Sequence, residues 1–93
     1  MPLTFLKKYD FADDSEGNME LLRRLVLDLC RDTNFSELTN IFSMLMESQF
    51  GKRLVKNMRI FIKKKLLNNP QEYSDSEFTK MTKLVEHLRS LEE

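Results

Sequence analysis

Residues 35–50, FSELTNIFSMLMESQF, and residues 52–67, KRLVKNMRIFIKKKLL, are joined by one glycine, Gly51. In the first stretch Phe35, Leu38, Phe42 and Leu45 recur at steps of three, four and three, and Ile41, Met44 and Met46 widen that face. Such spacing is the repeat of an amphipathic helix, predicted here from Phe35 to about Gln49. In the second stretch Val55, Met58, Ile62 and Leu66 step by three, four and four, with Leu54 and Phe61 beside them. That spacing predicts a helix over 52–68. A glycine just past a helix end commonly takes a left-handed backbone conformation, because it has no Cβ to clash. Gly51 is therefore read as the stop of the first helix. So short a link makes the two helices neighbours in space.

The second helix carries seven basic residues and no acid. Lys52, Lys56, Arg59 and Lys63 are spaced four, three and four, which aligns them in one row on a helix. Arg53, Lys64 and Lys65 flank the row. One reading is a solvated face whose like charges are screened by water and salt. The other is a binding surface for an acidic peptide or for phosphates. Acids at residues 10–20 are the nearest internal counter-charges expected for it. A DNA-reading helix-turn-helix is rejected: with Gly51 as the turn glycine, Glu47 and Lys56 stand where a small residue and a buried apolar residue are wanted.

Upstream, PLTFLKKYDF (2–11) reads as a short arm. Thr4 can cap a turn or two, and Phe5, Leu6 and Tyr9 share one side. Such an arm either lies on the bundle or docks on a partner as a linear motif. Asp13, Asp14, Glu16 and Gly17 form a loop whose acids suit the positive end of the helix that follows. This helix is predicted from Glu16 or Met19 to Arg31, with Met19, Leu22, Leu25, Val26, Leu29 and Cys30 as its stripe. Leu21 and Leu27 lie off the stripe. The helix is thus expected to be central, or to have one face covered by the arm, by a partner or by a second copy of the chain.

Asp32, Thr33 and Asn34 make a polar break, and Asn34 with Glu37 resembles a capping box. Asn68, Asn69 and Pro70 end the basic helix. Ser74 and Glu77 form a capping box that opens the last helix, with Phe78, Met81, Val85 and Leu88 as its buried face and Leu84 and Leu91 beside it. His87 lies near the core edge. Glu92 and Glu93 at a helix C-terminus oppose the helix dipole, so the helix or a linker is expected to continue.

With 93 residues, two glycines and two prolines, the chain has the length of one domain and too few turn formers for an all-β fold. The formal net charge is +0, so any attraction to nucleic acid or membrane must be local. The lone Cys30 cannot form an internal disulfide, and Cys30 and His87 have no partners for a metal site. A reducing compartment, cytosol or nucleus, is expected. No apolar run reaches the length of a membrane span, and residues 1–11 lack the pattern of a secretory signal. There is no glycine-rich phosphate loop and no Cys/His cluster, and His87, the one candidate base for a serine nucleophile, lies on a helix without an evident acidic orienter, so neither enzymatic activity nor a cofactor is expected.

Phe35, Leu38, Phe42, Leu45, Ser48, Phe50, Gly51 and Leu54 together resemble the middle of the N-terminal domain of transcription elongation factor TFIIS and its relatives. In that family leucine-rich helices lead into a Thr/Ser-x-Ile-Gly turn and an apolar-basic helix. The resemblance is confined to residues 35–54. Asn57 stands near an expected leucine, Ile60-Phe61 replaces a Lys-His pair, and the final tryptophan is absent. It implies a helical bundle that binds short, often disordered peptides in transcription assemblies.

The expected fold is all-α: a compact four-helix up-and-down bundle (18–93) with a short N-terminal arm and acidic loop (1–17). The expected role is a non-catalytic protein–protein interaction or assembly module that binds an acidic or amphipathic peptide through Lys52, Lys56, Arg59 and Lys63. Nucleic-acid binding through the same face is the alternative, and a homodimer built on the first helix is a third.

Overall fold

A computed structural model describes Phe11, Asp13 and residues 15–92. Four α-helices follow in chain order: α1 (Glu16–Asp32), α2 (Phe35–Leu45), α3 (Gln49–Phe61) and α4 (Asp75–Leu91). A π turn (Ile62–Leu66) extends α3, and a 3-10 turn (Pro70–Glu72) precedes α4. There is no strand among the described residues. The protein is an all-α, up-and-down four-helix bundle, as the periodicities predict. Its radius of gyration, 12.3 Å, is that of one compact domain of this length, about 12 Å.

The core is continuous across the four helices. Leu22 and Val26 of α1, Phe42 of α2, Val55 and Met58 of α3, Ile62 of the π turn, and Met81, Leu84 and Leu88 of α4 have no exposed surface. α4 packs on α1, α2, α3 and the π turn. The two residues off the α1 stripe part company. Leu27 is buried within the chain's own core, whereas Leu21 is 49% exposed.

Polar contacts set the element boundaries. The Asn34 side chain accepts the Glu37 N–H at 2.8 Å, and its own amide donates to the Glu37 carboxylate at 3.1 Å. At the start of α4 both bonds of the capping box form. Ser74 Oγ accepts from the Glu77 N–H, and Glu77 Oε1 accepts from the Ser74 N–H, each at 3.1 Å. Beyond the π turn, the side chains of Asn68 and Asn69 donate to the carbonyls of Lys64 and Lys65, groups that a helix end leaves without a partner.

Two expectations about the α2–α3 junction are corrected. α2 ends at Leu45, not near Gln49, and Met46, Glu47 and Ser48 make the connection. Ser48 is the N-cap of α3, and its hydroxyl accepts from the Gly51 N–H at 3.0 Å. Gly51 is accordingly not a helix stop: it lies in the first turn of α3, and no described glycine has positive φ. Close approach is what excludes a side chain there. A Cβ on Gly51 would sit 1.7 Å from the carbonyl oxygen of Leu45. The predicted adjacency of the two helices holds, since α2 packs on α3.

The basic helix also departs from one uninterrupted α-helix. The Leu67 N–H bonds the Ile62 carbonyl at 2.9 Å, five residues back. This wider turn keeps both Ile62 and Leu66 in the core while Lys63, Lys64 and Lys65 between them face solvent. Most of the predicted N-terminal arm, with Thr4, Phe5, Leu6 and Tyr9, lies outside the described residues. Its last residue, Phe11, is buried edge-on against Phe61, with ring centroids 5.7 Å apart. α1 begins at Glu16, the earlier of the two predicted starts.

Candidate functional site: the basic surface of the third helix

Every cation from Lys52 to Lys65 lies outside the core, because the apolar stripe Leu54, Val55, Met58, Phe61 takes the inward side of α3. Lys52, Arg53 and Lys56 are exposed and line a cavity of about 340 Å³ with Met46, Gln49 and Glu92. The cavity lies between the start of α3, the α2–α3 connection and the end of α4. Of the four predicted site residues, the structure thus brings Lys52 and Lys56 together directly.

Arg59 is half-buried, and its guanidinium is bound to the Glu92 carboxylate just past the end of α4. Lys63 lies on the π turn and does not line the cavity. Among the described residues no acid pairs with Lys52, Lys56 or Lys63. Among the described residues the counter-charge that reaches the row is Glu92, and it reaches Arg59. Of the acids expected there from residues 10–20, Glu20 instead pairs with Arg23 at 3.6 Å. Asp10 and Asp14 lie outside the described residues.

Met46 and Glu92 belong to this site although the row of cations does not reveal them. Helical spacing assigns Met46 to the apolar stripe, and the residue does pack against the core while it also borders the cavity. Glu92 carries a signal of another kind. A carboxylate at a helix C-terminus is unfavourable with the dipole unless something else holds it, and Arg59 does so.

Elsewhere the chemistry is sparse. Cys30 is 2% exposed, and burial pushes its thiol up to about 11, so it carries little thiolate near neutral pH. His87 lies edge-on to Phe35, with ring centroids 6.0 Å apart, and its Nε2 is buried without a hydrogen-bond partner. Phe35 and His87 line a second cavity with Lys80, Lys83 and Glu86. Arg23 stacks over Tyr73 at 5.5 Å beside a third. No three His, Cys, Asp or Glu side chains among the described residues converge as metal ligands. Nor is any described helix long and apolar enough to cross a membrane.

Comparison with known protein families, with curated proteins and with solved structures returned no match. The resemblance to the TFIIS N-terminal domain is therefore carried by residues 35–54 alone. Within that stretch Ser48 and Gly51 are the N-cap of α3 and the first-turn amide it binds.

Proposed function

We propose that this chain is a non-catalytic protein-interaction module that binds an acidic, partly apolar segment of another protein on the α3 surface. The observation that carries the reading is the cavity in which Lys52, Arg53 and Lys56 stand beside the Met46 side chain. Three cations offer charge, and the thioether offers a soft apolar wall that adapts to different side chains. Charge complementarity of this kind favours encounter and specificity more than raw affinity. A reducing compartment, cytosol or nucleus, fits a chain whose one cysteine is an unbridged, buried thiol.

The test is titration with a fluorescein-labelled peptide of Leu-Glu-Glu repeats, read by anisotropy. Lys52→Glu with Lys56→Glu is expected to weaken binding about tenfold or more, as like charges then face the peptide. The melting temperature should barely change, because both side chains are exposed. Unaltered affinity in the double variant would remove this surface from consideration.

The three consecutive exposed lysines of the π turn, Lys63–Lys65, favour a second reading, in which the basic residues of this helix contact nucleic-acid phosphates. Salt separates the two. Phosphate binding to single strands falls with a log–log slope of about 0.7 per contact, whereas a partly apolar peptide responds less.

A further inference from the structure

We infer that Glu92 is an internal occupant of the anion subsite on α3, and that an acidic partner must displace it to take the Arg59 Nε–H. The inference rests on the acidic-segment reading above and names how that site is regulated.

The geometry is specific. Glu92 lines the same cavity as Lys52, Arg53 and Lys56, and its carboxylate is bound to Arg59. The two side chains are 22% and 23% exposed, so the pair lies at the margin of the cavity, where an incoming carboxylate can reach it. Glu92 follows Leu91, which is partly buried against the core. The chain therefore presents one of its own acids to its own basic surface, the charge proposed for the partner. The Arg59 Nε–H that Glu92 holds is not free for a second carboxylate until the first one leaves. Exchange of one exposed carboxylate for another is close to neutral in energy, because such ion pairs are individually weak. Glu92 thus lowers affinity without closing the site. It raises selectivity for partners with more than one acid, which gain from Lys52 and Lys56 while they replace Glu92.

The experiment is a double-mutant cycle on the full chain, with the fluorescein-labelled Leu-Glu-Glu peptide as probe and circular dichroism as a check of the fold. Glu92→Gln is expected to tighten binding about two- to fivefold, the value of one exposed ion pair. Arg59→Gln should change little on its own and should cancel the gain in the Glu92→Gln background. A second readout does not depend on affinity. In 15N spectra the Arg59 Nε–H should exchange slowly in the free protein, faster in Glu92→Gln, and slowly again in Glu92→Gln saturated with peptide. If Lys56→Glu weakens binding but Glu92→Gln leaves affinity and the Arg59 signal unchanged, the internal occupant is overturned and the docking surface stands. If Lys56→Glu has no effect, or no variant binds, the docking surface falls and the inference with it.

Discussion

Gly51 matters for the atom it lacks. A Cβ there would overlap the Leu45 carbonyl, backbone against backbone, where no side chain can swing aside. Gly51→Ala is therefore expected to destabilise the protein by about 1–3 kcal/mol, the cost of overpacking, and more if the helices must separate. Gly17 supplies the control. It lies in the first turn of α1, and a Cβ added to it would meet nothing within 4 Å, so Gly17→Ala should stabilise by about 0.5–1 kcal/mol. Urea midpoints of the two variants should move in opposite directions. The sequence marks Gly51 as special but not the reason. A glycine after a long apolar run fits a left-handed stop, and the contact that decides otherwise leaves no periodic trace. The site shows the same limit. Row spacing identifies Lys52 and Lys56, whereas the Glu92 that holds Arg59 is 33 residues away in the chain.

Among the elements, α4 has the most explicit start. The Ser74 capping box is written in its sequence and forms in full. Ser74→Ala should cost about 1 kcal/mol. Glu77 is tied to more than its own helix, because Arg31 at the end of α1 donates to it at 2.7 Å. The Ser74 N–H, and after it the Arg31 guanidinium, hold the Glu77 carboxyl below the usual carboxylate range. A carboxyl whose folded value is lowered stabilises the fold above its ordinary value, and this contribution is lost as pH falls through the lowered one. The melting temperature should therefore drop as pH is taken from neutral to about 3, and Glu77→Gln should flatten part of that drop. The boundaries of α2 and α3 are harder to read. Met46 extends the α2 stripe past the true end and hides the cap at Ser48. Ile62 and Leu66 are four apart, a spacing that an α-helix and a π turn both satisfy.

For the molecule as a whole, four apolar-periodic segments and three polar breaks are enough to predict the bundle. They do not say which helix stands at its centre. That depends on how the stripes face each other, and α4 packs on all three other helices although α1 is the more uniformly apolar. Cys30 reports on the integrity of the assembled core. Its thiol is buried and pushed up to about 11, so a disulfide reagent at mildly alkaline pH should label the native protein only through opening. The labelling rate should rise with urea along the slope of global unfolding, and a rate independent of urea would reveal local access instead. The π turn has a consequence for insertions and deletions in the chain. It holds one residue more than an α turn between the Ile62 carbonyl and the Leu67 amide that it bonds. Removal of Lys64 alone would let the same two groups close an ordinary α-helical ring, leaving the downstream loop and α4 where they are. Loss of Lys56 would instead rotate every later core residue by about 100°. Deletion of Lys64 is thus expected to cost less stability than deletion of Lys56, measured by urea midpoint, because it keeps the downstream register.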